Sequence, residues 1–215
     1  MSTYAKTIQG HQCDECGAEM VLLLFCDHCG ADYPERKRLN AFSLLGLEPA
    51  FSLADETIDG LEIELTRRLH PDKWQHRGER LHRKALLAQT AANQALQAIR
   101  EPFERGDTLL LLQEEVSSGQ LDGNNSLPQE FLVEQLELQE EIAEGLEPDR
   151  KRALKSLVRA ELDSLRSQLS DQFVRVQQVE TDSERLDALK SARTCLDRAR
   201  YWRNLRMALK GVAAR

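Results

Sequence analysis

From residue 40 onward, apolar side chains recur three or four positions apart through most of the chain, the period of amphipathic helices that bury one face. Ile58, Leu61, Leu65 and Leu69 form one such stripe, and it must end at Pro71. Proline has no N–H for the helical ladder and pushes the residue before it out of the helical region, so His70 is predicted to be extended. A second stripe begins near Glu79 and carries Leu81, Ala85, Ala88, Ala92, Leu96 and Ile99. Two antiparallel helices follow, with His70, Pro71, Asp72 and Lys73 on a short stiff loop between them. Upstream, a short helix is predicted from about Asn40 to Leu45, ended by Gly46, with Phe42 and Leu45 turned inward. Ser52 with Asp55 three residues later predicts an N-terminal cap for the helix leading to the loop. Downstream, Pro102 stops the second long helix and starts another that reaches about Glu115.

Val116 to Leu127 is turn chemistry throughout, with Ser117-Ser118-Gly119 and Asp122-Gly123-Asn124-Asn125-Ser126, and is the expected domain boundary. Three further amphipathic stripes begin near Pro128, after Pro148 and after Asp182, which predicts an antiparallel three-helix bundle. Cys195 falls beside the last stripe and reads as a buried thiol rather than a nucleophile. In the helix from Pro128 to Glu144, Phe131, Leu138 and Ile142 lie within about 40° of one another and form the face expected against the bundle. Leu132, Val133 and Leu136 lie roughly 100° to 200° around, bordered by Glu137, Glu140 and Glu144. A helix touching two neighbours would also show a widened stripe. The acidic border points instead to a face for a basic, partly apolar partner.

The helical period is absent from residues 1 to 12, and the stretch after them carries a different pattern. Cys13-Asp14-Glu15-Cys16-Gly17 and Cys26-Asp27-His28-Cys29-Gly30 are two C-x-x-C-G units. In each, glycine lets the backbone turn so that its amides face the sulfurs. Met20 to Phe25 between them suits one short strand, and His28 reads as a surface residue. Four thiolates in so small an apolar segment favour tetrahedral zinc in a structural role, with all positions filled by protein. Rubredoxin-like iron or a bound cluster stays open, and disulfides are disfavoured in a reducing compartment. Asp32 to Leu39, with Pro34 and the charged run Glu35-Arg36-Lys37-Arg38, reads as a connector too short and polar to pack a shared core, with contact to a partner as the alternative for its basic run. The cysteine module is expected to fold separately from the helices.

Composition agrees with helices: aromatic residues are 5% of 215 and charged residues 30%, with leucine and alanine carrying the stripes. No run of 18 apolar residues exists, so no membrane span is expected. The N-terminus shows neither a secretory apolar region nor an arginine-rich transit pattern, which suggests the cytoplasm. Within the net charge of -7, residues 116 to 147 hold eight acidic side chains and no Lys or Arg, while residues 148 to 215 hold sixteen basic against nine acidic. Thr66 to Lys84 has seven basic residues against two acidic, yet Trp74 is its one aromatic, which speaks against nucleic-acid binding. No Ser/His/Asp set, phosphate loop or paired-carboxylate signal stands out, so the chain reads as a binding protein rather than an enzyme.

The His70-Pro71-Asp72 tripeptide between two apolar-striped helices, preceded by Asn40-Ala41-Phe42-Ser43-Leu44-Leu45-Gly46-Leu47 and followed by Asn93-Gln94-Ala95, resembles the J-domain of DnaJ-type co-chaperones. Phe42 to Leu47, together with Phe131-Leu132-Val133-Glu134-Gln135-Leu136-Glu137, is most similar to the HscB family of iron–sulfur cluster assembly, over about residues 40 to 210. Some of its members carry an N-terminal double C-x-x-C extension. The resemblance implies a mainly α fold and tolerates the cysteine module without explaining it. The chain is accordingly divided into a cysteine module and linker over 1–38, a J-domain over 39–116, a linker over 117–127 and a three-helix bundle over 128–215. It implies that His70, Pro71, Asp72, Lys73, Arg67 and Arg68 meet a DnaK/HscA-class ATPase chaperone. It also implies that Leu132, Val133, Leu136, Glu137, Glu140, Glu144 and Tyr201 meet an IscU-type scaffold. One departure stands out: Asp55, Glu56, Asp59, Glu62 and Glu64 make the upstream part of the loop-bearing helix acidic, so only its last turn is basic. A general J-protein for unfolded clients and a zinc-ribbon nucleic-acid or redox module are the alternatives.

Overall fold

The computed structural model describes residues 11–20, 24–26, 28–33, 39–70, 72–116 and 127–211. Within them the helical period is realised as eight α-helices, and the mainly α fold class holds. By its internal contacts the chain divides into two compact units, Met1–Thr108 and Leu109–Arg215.

In the first unit, strands β1 (His11–Gln12) and β2 (Glu19–Met20) pair antiparallel with His11 opposite Met20. The single strand expected over Met20 to Phe25 is thus realised differently. Its start pairs backwards to close the first cysteine turn, residues 21–23 lie outside the described set, and Phe25 makes an isolated bridge to Asp32. The helices are α1 (Ala41–Leu45), α2 (Asp55–Leu69), α3 (Asp72–Gln75) and α4 (Glu79–Arg100), followed by α5 (Pro102–Val116), which runs through the division at Thr108. Helix α4 is the hub, contacted by α1, α2 and α3. Its buried Ala85, Ala88, Ala92 and Ala95 are small enough to admit close neighbours, and Phe42, Ile58, Leu61 and Leu65 are buried on α1 and α2.

The ends of these helices obey local chemistry, though not everywhere the chemistry expected. Asn40 and Ser43 cap α1 reciprocally, each side-chain oxygen accepting the other's backbone N–H at 3.0 Å, and Gly46 closes the helix at φ 68°. The cap expected from Ser52 is not formed. Ala54 is the N-cap of α2 and makes no side-chain bond, so the electrostatic support comes from Asp55 and Glu56 in the first turn. The acidic side of α2 has a structural use. Arg100 of α4 reaches Asp59 at 2.8 Å and Glu62 at 2.7 Å, tying the two long helices together. Nor does charge alone reveal Arg105, which is buried: its Nε donates to Ile99 O at 2.6 Å and its Nη1 to Phe51 O at 2.5 Å. It thereby fastens the end of α4 to the segment ahead of α2.

The second unit holds α6 (Gln129–Glu144), α7 (Pro148–Gln178) and α8 (Asp182–Leu209), with α7 packed along α8 and α6 against α8. Pro148 opens α7, where its missing N–H costs nothing, and Thr181 caps α8 by accepting Glu184 N–H at 3.3 Å. Leu154, Leu165, Leu169, Leu189, Leu196 and Leu205 are fully buried along the seam, with Ala188, Ala192 and Ala199 allowing close approach. Cys195 is buried, as its place beside the stripe suggested. The second half of α5 belongs with this unit, and within it Gln113 accepts a bond from Arg185 at 2.6 Å. The turn-forming linker over 117–127 lies outside the described residues except for Leu127.

Candidate functional site

Helix α2 ends as the proline rule requires. His70 is its C-cap at φ -55° and ψ 126°, extended and exposed, while Pro71 itself lies outside the described residues. The chain then turns into α3, a single helical turn not foreseen in the sequence, whose Trp74 is buried while Asp72 and Lys73 point outward. His70 Nδ1 lies 3.6 Å from Asp72 Oδ2, and the Asp72 N–H approaches the same Nδ1 at 3.4 Å. His70 and Asp72 therefore present a loosely paired imidazole and carboxylate to solvent instead of placing them in the core. Arg67 and Arg68 are both drawn to Glu64. Arg67 Nη2 sits 2.8 Å from Glu64 Oε1, the Nε of Arg68 bonds the same oxygen, and the pair holds Glu64 below the usual carboxylate range, Arg67 foremost. Sharing one carboxylate between two guanidinium groups leaves this last turn basic.

The four cysteines converge. Their sulfurs all lie within 4.8 Å of one another, with Cys13 to Cys29 at 3.6 Å and Cys16 to Cys26 at 3.7 Å. Tetrahedral thiolates about 2.3 Å from one ion would stand about 3.8 Å apart, so the cage has the size of a single four-coordinate metal. The two C-x-x-C-G turns are built alike. Gly17 N–H donates to Cys13 O at 2.7 Å and Gly30 N–H to Cys26 O at 2.8 Å, and both glycines take positive φ, 71° and 78°. Titration in the cluster is uneven. Burial pushes the Cys26 thiol up, but the amides of Cys29 and His28 outweigh it and bring it to about 7. The Ala18 amide draws Cys16 down, but burial and the neighbouring thiols drive it to about 12. A divalent cation would relieve this crowding. Cys13, Met20 and Cys26 form the module's own small core, with Ala18, Ala31 and Tyr33 against it.

The module also docks onto the helices, contrary to the expectation of a separate segment. Phe25 meets Trp74 edge-on, ring centroids 5.3 Å apart, and Lys84 Nζ of α4 reaches Gly30 O at 2.6 Å and Asp32 Oδ1 at 2.8 Å. Asp32 therefore belongs to the module rather than to the connector; residues 34–38 are outside the described set. A polar connector supplies no apolar contact of its own; that contact comes from Phe25 within the module.

On α6, Phe131 and Leu138 are buried as expected and Ile142 partly so. The surprise is Gln135, which at 1% exposure sits deeper than either. Its position one turn from Phe131 and Leu138 marks it as inward-facing, but its polarity kept it off the predicted stripe. Leu132, Val133 and Leu136 remain 37%, 47% and 55% exposed, and Glu137, Glu140 and Glu144 are exposed beside them. Tyr201 of α8 is partly buried and meets Phe131 edge-on at 5.8 Å, while Arg198 stacks on the same ring at 4.8 Å. Arg150 of α7 clamps Glu141 through two bonds of 2.5 Å and 2.7 Å, which lowers that carboxyl below its ordinary range.

Residues 127–210 match the family model described as the HSCB C-terminal oligomerisation domain. A co-chaperone protein HscB homolog of Ralstonia nicotianae is 34% identical over 104 residues, 48% of this chain and 58% of that protein's length. The homolog of Burkholderia thailandensis is 31% identical over 131 residues, 61% of this chain and 69% of the relative. Among solved structures, human co-chaperone protein HscB superposes with a TM-score of 0.70 at 22% identity, covering 93% of this chain and 97% of that one. Chaperone HscB from Vibrio cholerae gives 0.62 at 24% identity, covering 80% and 96%. These likenesses show the fold, a J-domain followed by a C-terminal helical bundle.

Proposed function

Because the chain belongs to the HscB family of co-chaperones, we propose that it serves iron–sulfur cluster assembly as an adaptor with no chemistry of its own. Its J-domain stimulates ATP hydrolysis by a DnaK/HscA-class chaperone, and its C-terminal bundle delivers an IscU-type scaffold protein. The observation that carries the reading is the exposed His70 and Asp72 pair, displayed where α2 gives way to α3, with Trp74 beneath it in the core. Side chains so placed contribute little to folding, so their chemistry is available to a partner. His70, Pro71, Asp72 and Lys73 contact the chaperone, and Arg67 and Arg68 meet an acidic surface on it. Coulomb attraction between such surfaces speeds encounter more than it deepens affinity.

The scaffold occupies the α6 face of Leu132, Val133 and Leu136, with Glu137, Glu140 and Glu144 steering it and Tyr201 of α8 completing the surface. The four cysteines hold zinc, whose full shell of protein ligands makes it structural. When bound, the ion neutralises the crowded thiolates and pins the two turns together. The place of action is the cytoplasm.

The deciding experiment is His70→Gln in the full chain, read by single-turnover ATP hydrolysis of a DnaK/HscA-class chaperone. Stimulation is expected to vanish while the circular dichroism spectrum and melting temperature stay at the parent's values. A variant that stimulates as well as the parent refutes the proposal.

A further inference from the structure

Trp74 stands two residues after Asp72 and ties the loop across its base. Its indole N–H donates to the carbonyl of Arg68 at 3.1 Å, two residues before His70, so one side chain spans the whole tripeptide. The ring is 5% exposed and is enclosed from outside the loop. The guanidinium of Arg77 lies 5.2 Å from its centroid, and Phe25 meets it at 65° and 5.3 Å.

Phe25 comes from the cysteine module, directly before Cys26, and the second cysteine turn is seated beside it on α4. Lys84 reaches both Gly30 O and Asp32, and Arg77 Nη2 approaches His28 O at 3.5 Å. The fit is close at Gly30, where φ is 78° and a Cβ would fall 2.4 Å from Leu81 Cδ2. Glycine there serves the cysteine turn and the docking at once. The module thus rests on the residues that anchor the candidate loop, while its own small core lies elsewhere.

We propose that Trp74 is a positioning residue for the loop of His70 to Asp72, and that the docked cysteine module is the buttress that holds Trp74 in that role. This rests on the reading that the loop engages a chaperone. With Phe25 removed, the indole gains room to leave the Arg68 carbonyl, and the loop samples orientations that binding must then reverse. Ordering it at the moment of contact weakens association, but it leaves the rate within the formed complex unchanged. The four cysteines act on the loop in the same way, because they fix the turns that place Phe25 and Gly30.

The test uses the full, metal-loaded chain with Phe25→Ala on the module and Lys84→Ala on α4, the second leaving the module's own residues intact. Phe25→Ala should raise the concentration for half-maximal ATPase stimulation by about two- to ten-fold, the size that loss of one edge-to-face ring contact supports. Lys84→Ala should raise it in the same direction by removing the bonds to Gly30 O and Asp32. Maximal stimulation and metal content should stay at the parent's values. Amide hydrogen exchange across Arg67 to Gln75 should quicken in both variants and again when the metal is chelated from the parent. Unchanged half-maximal concentration together with unchanged exchange in both variants overturns the proposal. A parent that fails to stimulate refutes the chaperone reading alone, and the exchange rates then decide the buttress by themselves.

Discussion

The two units hold their exposed candidate residues by different means. In the C-terminal unit, Leu132, Val133 and Leu136 lie on one continuous helix, where the helical period sets which side chains turn outward. In the N-terminal unit, His70 and Asp72 lie where one helix ends and a single turn begins. Trp74 spans them through its bond to the Arg68 carbonyl, and a phenylalanine from a distant stretch of chain packs on its ring. A face carried on a helix survives the loss of any one neighbour, whereas a loop held by tertiary contacts does not. The first kind of site should respond to surface substitutions and the second to changes made away from it.

The largest effect that separates the units is metal removal. Chelation, or Cys16→Ser with Cys29→Ser, should unfold the cysteine module and shift the fluorescence of Trp74 to longer wavelength, while the helicity of α6 to α8 persists. A single cooperative loss of all helix signal on chelation would erase the contrast.

Next comes a paired measurement within the bundle. Leu169→Ala, at a fully buried position on α7, should cost about 2–5 kcal/mol of stability because it leaves a cavity in the seam. Leu132→Ala with Leu136→Ala should move the melting temperature little and weaken scaffold binding by calorimetry. The family model's description names oligomerisation, so sedimentation of the same double variant tells whether a second copy uses this face instead. Lost stability with unchanged scaffold affinity would make these leucines core.

Smaller effects distinguish the two arginines near the end of α4. Arg105→Met leaves the Ile99 and Phe51 carbonyls without their donor and should cost about 1–3 kcal/mol by denaturant unfolding. Arg100→Met removes exposed pairs with Asp59 and Glu62 and should cost at most about 1 kcal/mol, less at high salt.

The smallest effect is chemical. Burial pushes the Cys195 thiol up, so less of it is thiolate at neutral pH than for a free cysteine. It should be alkylated slowly in the native chain and rapidly after denaturation, as followed by mass spectrometry. Rapid native alkylation would mean that the α7 and α8 seam opens.

Much of the architecture was legible in the residues because periodicity is a local signal. Ile58, Leu61, Leu65 and Leu69 turned inward as their spacing required, and the extended His70 followed from proline sterics alone. The four cysteines were legible for a similar reason, since two C-x-x-C-G turns carry their own geometry and needed only to meet. Gln135 escaped because a binary pattern assigns a polar residue to the surface even where its angular position is inward.

What the tertiary structure alone decided are contacts between residues far apart in sequence, for which no period exists. The docking of Phe25 on Trp74, of Lys84 on Gly30 and Asp32, and of Arg105 on the Phe51 carbonyl join segments about fifty residues apart. Spacing can state that a side chain faces the interior or the exterior of its own helix. It cannot state which other segment will be there, because that depends on how all the stripes bury their apolar area together.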